Sequence, residues 1–90
     1  MYENKLVQIK DDLFFFDEKE KKHLVKKLDF GFSLKNLSLV FDIYTVSFDK
    51  ENKIKRFTFE LQKEATINNC KRNLKNKFST LNFSKYFDCY

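Results

Sequence analysis

Proline is missing from these 90 residues, and glycine occurs once, at Gly31. Turns must therefore be built from Asp, Asn and Ser, and a glycine-rich phosphate loop is excluded. Histidine also occurs once, at His23, and cysteine twice, at Cys70 and Cys89. These three fall short of the four Cys/His ligands of a structural zinc site, so neither a metal nor another cofactor is expected. Long hydrophobic runs are missing too: the longest, residues 13–16, has four members. A membrane-spanning helix needs about 20 apolar residues and a signal peptide an apolar stretch of roughly 7–15. The expectation is a soluble chain that stays in the cytoplasm, away from membranes, with its thiols reduced.

What is present is lopsided. Lys, Asn, Phe, Tyr, Ile and Met, whose codons are AT-rich, make up 45 of the 90 residues, while Gly, Ala, Arg and Pro together make up four. The gene is AT-rich, as in low-GC bacteria, their phages and mobile elements, or some protozoa. Part of the excess of Lys and Phe is therefore mutational. At 42% apolar residues the chain has enough for one folded domain over residues 1–90, with no linker or repeat to divide it. Such a domain buries only about 60–65% of its unfolded surface, so its core is thin.

The net charge of +5 is unevenly placed. Residues 1–49 hold eight Lys against nine Asp/Glu; residues 50–90 hold ten Lys/Arg against four. From Ala65 to Phe87 there is no acidic residue at all. A one-sided basic half points to an anionic partner, either RNA or DNA or an acidic protein face.

The hydropathy pattern predicts an α+β fold. Near the N-terminus, residues 5–10 and 14–16 read as short strands around an Asp11-Asp12 turn. Residues 17–30 read as a helix: Asp17 as N-cap, Glu20 completing a capping box, Lys26 and Lys27 near the end, and Gly31 as the stop. Leu24, Val25 and Leu28 would be its narrow apolar stripe. Residues 37–48 and 54–61 form a β-hairpin around a polar loop, the first strand apolar on both faces, the second alternating through Phe57, Phe59 and Leu61. Residues 66–81 form a second helix capped by Thr66, with Ile67, Cys70, Leu74, Phe78 and Leu81 in one buried stripe. The predicted architecture is a small antiparallel sheet packed with two helices.

Two surfaces stand out. Asn68, Lys71, Arg72, Lys75 and Lys77 lie on the second helix beside its apolar stripe; Lys and Arg neutralise phosphates, and Asn bonds to phosphate or base edges. In the tail, residues 83–90, the aromatics Phe83, Tyr86, Phe87 and Tyr90 fall at i, i+3, i+4 and i+7. Continued as one straight helix, they would face away from the Ile67–Leu81 stripe. Either the chain breaks near Asn82 and the tail folds back, or the tail docks on a partner or a second copy. Monomer and homodimer both remain open.

Catalytic patterns are thin. His23 has no Ser or Cys partner in a recognisable setting. A metal-independent ribonuclease built on Lys55, Arg56, Lys63 and Tyr44 has no supporting motif, and no enzyme is expected. Over its whole length, in size, composition and lack of catalytic motifs, the chain resembles the small inhibitor proteins of phages and mobile elements, those of the anti-CRISPR type. That class shares no residue pattern, so the resemblance assigns no residue a role. It implies a non-enzymatic protein, in the host cytoplasm, that occupies a surface on a larger protein or ribonucleoprotein complex. The alternative from the residues is a small regulator that binds RNA or DNA directly, carried by Lys71, Arg72, Lys75 and Lys77, with the phenylalanines read as core rather than as stacking platforms.

Overall fold

A computed structural model describes residues 2–47 and 53–87. After a short 3-10 turn, Tyr2–Lys5, come five strands: β1 (Leu6–Ile9), β2 (Asp12–Phe16), β3 (Lys22–Ser33), β4 (Ser38–Ser47) and β5 (Ile54–Glu60). They form one antiparallel sheet in the order β1-β2-β3-β4-β5, each strand paired with its neighbour in sequence. One α-helix, α1 (Ile67–Lys77), and a 3-10 turn at Phe83–Lys85 follow.

The expected two-helix architecture is therefore wrong at residues 17–30, where the chain makes a turn and then the longest strand of the sheet. The Asp17 carboxylate accepts from the backbone N–H groups of Lys19 and Lys21, but as the pin of a β-turn rather than as a helix cap. Glu20, expected to complete a capping box, sits in the turn with φ 61°. The misreading has a physical cause. Strand β3 points His23 and Val25 inward, then slips register between Val25 and Lys27, and continues inward with Leu28 and Phe30. A β-bulge inserts one residue and breaks the period of two. The resulting 24-25-28 spacing imitates one face of a helix. Gly31 is an ordinary strand residue opposite Val40, without positive φ.

The expected hairpin of residues 37–48 and 54–61 corresponds to β4 and β5, with Phe48 outside the described residues. Strand β4 is covered more heavily on one side: Phe41, Ile43 and Thr45 are fully buried, whereas Val40, Tyr44 and Val46 on the other face are half-buried. Helix α1 begins behind Thr66, whose hydroxyl accepts from the Asn69 N–H, and buries Cys70 and Leu74. It ends at Lys77, short of the expected residue 81. Phe78 and Leu81, just beyond it, are buried too, while Ile67 is exposed.

The sheet is strongly curled. Strands β2 and β5 are three places apart, a separation of roughly 14 Å in a flat sheet. Yet the rings of Phe15 on β2 and Phe57 on β5 lie 4.4 Å apart, and Phe59 is 5.8 Å from Phe15. The concave face holds the core: Leu6, Leu13, Phe15, Val25, Leu28, Phe41 and Ile43, closed at one end by Leu74, Phe78, Leu81, Phe83 and Tyr86.

Residues 83–87 fold back onto this core and complete the sheet. Strands β2 and β3 pair only from Phe14/Leu24 to Phe16/Lys22, so backbone groups beyond that point need other partners. Tyr86 supplies them. The Leu13 N–H donates to its hydroxyl at 3.0 Å, and the Leu28 N–H donates to its carbonyl at 2.9 Å. Lys85 donates to the Asp11 carbonyl at 2.6 Å, and Phe87 stacks parallel to Phe30 at 5.8 Å.

Candidate functional site

At the opposite end of the concave face, near the β2–β3 turn, the described residues leave the curl open. Lys5 before β1, residues 17–22, Ser47 at the end of β4, and strand β5 surround a groove of about 1120 Å³. Its rim is basic. Lys5, Lys19, Lys21, Lys22, Lys53 and Lys55 line it against two carboxylates, Asp17 and Glu18. Its floor includes the rings of Phe57 and Phe59, both half-buried. Strand alternation produces this arrangement: residues 55, 57 and 59 point to the concave side opposite Thr45, Ile43 and Phe41. The first of the three lies beyond the core and is a lysine.

His23 and Asp17 form the fixed wall of the groove. His23 is 4% exposed, and its Nε2 lies 2.9 Å from Asp17 Oδ2. Hydrogen bonding to His23, then to the Lys21 and Lys19 N–H groups, holds the Asp17 carboxyl at about 2, below its ordinary 3.8. With Nε2 engaged by a carboxylate, the ring nitrogen left over is Nδ1, which is buried without a hydrogen-bond partner. The bond between His23 and Asp17 ties the turn at residues 17–21 to the start of strand β3. The His23 ring also rests 5.5 Å from Phe57, which steadies the floor.

The residues singled out from sequence fall elsewhere. Asn68, Arg72, Lys75 and Lys77 are exposed on α1, and none of them lines the groove; nor does Lys71. Lys71 is half-buried with its ammonium 5.0 Å from the centre of the Phe87 ring. Of the tail aromatics, Phe83 is 5% and Tyr86 3% exposed, so these two rings are core and offer a partner no surface. Phe87 is half-buried between Phe30 and Lys71, and Tyr90 lies outside the described residues. The four residues considered for a ribonuclease do not converge. Tyr44 and Arg56 are paired across β4 and β5 on the outer face, Lys55 points to the concave side, and Lys63 follows β5.

The groove itself went unread because its lysines come from three separate stretches of chain with no common spacing. A usable signal was present in the Asp-Glu-Lys-Glu-Lys run at residues 17–21, a polar turn followed by the alternating His23-x-Val25.

Among the described residues no three His, Cys, Asp or Glu side chains gather where they could hold a metal ion, and no helix is long and apolar enough to cross a membrane. The chain matches no protein-family model, no curated protein and no solved structure.

Proposed function

We propose that this chain is a non-enzymatic binding protein that acts by occupying an anionic surface with its lysine-lined groove. In its setting it is an inhibitor, of the kind phages and mobile elements use, that blocks a bacterial nucleic-acid-processing defence complex. The observation that carries the reading is the groove: six lysines against two carboxylates, one of them already bonded to His23, around a concavity. Cations gathered in a concave, low-dielectric wall focus the field and draw in an anionic partner. Typical small-molecule pockets measure about 300–1,000 Å³ and enclose most of their ligand, so an open, lysine-rimmed groove of this size suits a polymer better. Phe83 and Tyr86 are buried in the core, so this reading rests on the groove and takes an RNA component or an acidic face of the target as its partner.

The test is interference itself. A bacterial strain with an active CRISPR system is transformed with a targeted plasmid, with and without this chain. Rescue of transformation, abolished by the triple variant Lys21→Glu, Lys53→Glu, Lys55→Glu, is the expected result. A soluble wild-type chain that rescues nothing across the major system types removes the inhibitor reading.

A second reading is favoured by Phe57 and Phe59 on the groove floor: a small regulator that binds nucleic acid directly, with no protein target. It predicts binding to isolated oligonucleotides at affinities sufficient to act without a defence complex.

A further inference from the structure

We propose that the groove is built for a single nucleic-acid strand with unpaired bases, and that Phe57 is the platform on which a base stacks. This rests on the reading that the groove takes an anionic partner, and it names that partner's chemistry.

The floor and the rim ask for different things. The rim offers exposed ammonium groups at Lys19, Lys21, Lys53 and Lys55, which suit phosphates or carboxylates alike. The floor offers phenylalanine rings, which suit neither. An acidic protein face meets a purely cationic surface without needing rings. A duplex keeps its bases stacked inside and presents sugar and phosphate outward. Only an unpaired strand carries anions and flat aromatic faces together, which is the combination used by single-strand binders.

Phe57 is prepared for such a contact. Phe15, itself fully buried, lies 4.4 Å away on one side with its ring tilted by 35°. His23 rests 5.5 Å away, and the Asp17 bond holds His23 in place. The ring is therefore fixed before any ligand arrives, and the ordering cost of binding is reduced. In the structure the Lys55 ammonium sits 5.4 Å from the Phe57 ring centre, in a cation–π contact. A base that takes this place on the ring displaces the ammonium, and the flexible lysine stem lets it swing to an adjacent phosphate. One residue pair, Lys55 and Phe57, thus serves both the charge and the base of one nucleotide.

The experiment is fluorescence anisotropy with labelled 12-mers of oligo-U and oligo-dT, a blunt duplex of the same length, and labelled poly-glutamate, at 50 and 200 mM salt. The inference expects single strands to bind more tightly than the duplex and poly-glutamate; comparing oligo-U with oligo-dT separates RNA from DNA as the source. Phe57→Leu, checked for an intact fold by circular dichroism, should weaken single-strand binding by about 5- to 150-fold. It should leave the slope of log K against log salt unchanged, since no phosphate contact is removed. Lys21→Glu with Lys55→Glu should flatten that slope, and Phe57→Tyr should bind like the wild type. Independently of any variant, base protons of the bound strand should shift upfield in NMR spectra of the wild-type complex. Equal or tighter binding of duplex or poly-glutamate, or no upfield shift, overturns the unpaired-strand inference and leaves the anionic-partner reading standing. Failure of the wild type to bind any of the four probes at 50 mM salt overturns both.

Discussion

The two ends of the concave face are lined by the same strands and have opposite fates. At the end near the β1–β2 turn, α1 and the folded-back tail fill the curl with Leu74, Phe78, Leu81, Phe83 and Tyr86. At the end near the β2–β3 turn no such apolar cluster closes the curl among the described residues, and Lys5, Lys22 and Lys55 stand around half-buried phenylalanines. A small domain buries a smaller fraction of its surface than a large one, and here the buried apolar cluster gathers at one end. The closed end holds the fold together, and the open end is left to carry charge. We therefore propose the working surface where the sheet is curled but unfilled, with the exposed flank of α1 as the competing surface that the variants below compare with it.

That contrast yields graded expectations for stability. Phe41→Ala, which removes a fully buried ring on β4, should cost about 3–5 kcal/mol and leave the chain largely unfolded in thermal melts. Tyr86→Phe keeps the ring but strips the hydroxyl that accepts from the Leu13 N–H. Leaving that buried donor unpaired should cost about 1–3 kcal/mol, read as a lowered denaturation midpoint at constant m-value. An undiminished midpoint would mean that the tail lies on the sheet without completing it.

At the open end the effects are smaller and tied to pH. Because Asp17 titrates at about 2 in the folded chain and near 3.8 when free, its contribution is whole above pH 3.8. The contribution is lost as pH falls through the interval to about 2. Asp17→Asn should lower the melting temperature at neutral pH and flatten the pH dependence within that interval. The groove variant Lys21→Glu, Lys53→Glu, Lys55→Glu should change stability by no more than about 0.5 kcal/mol per site, while removing binding to anions. The least effect is expected from Lys71→Glu, Arg72→Glu, Lys75→Glu on α1, which should leave affinity for a single strand within a few-fold of wild type. A loss there equal to that of the groove variant would transfer the site to the helix.

Much of the fold was legible where one residue pattern served one element. Thr66 before the Cys70-Leu74 stripe marked α1, and alternation through Phe57 and Phe59 marked β5. Asp11 lies in the β1–β2 turn, between the two short strands. Strand β3 was illegible because its bulge converts an alternation of two into a gap of three, and because Asp17 caps turns as readily as helices. The groove was illegible for a different reason. Lys5, Lys21 and Lys55 meet only because β2 and β5 approach across two intervening strands, a product of curl that no local window contains. The basic flank of α1 was visible for the opposite reason, since helical spacing displays a face whether or not anything binds to it.

The position of Tyr86 near the end of the sequence also has a consequence for folding. The Tyr86 hydroxyl accepts a hydrogen bond from the backbone N–H of Leu13, 73 positions earlier in the chain. Until residue 86 has been synthesised and released, the gap where β2 and β3 part company has no stitch, and the core lacks its closing rings. Contacts so distant in sequence slow the search for the native state, since the loop must close before its contacts reward it. During that delay the β2–β3 opening is a bare strand edge, the kind of surface on which nascent chains pair with one another. Such a protein should refold in milliseconds to seconds rather than microseconds, and its yield in the cell should depend on expression rate as much as on final stability.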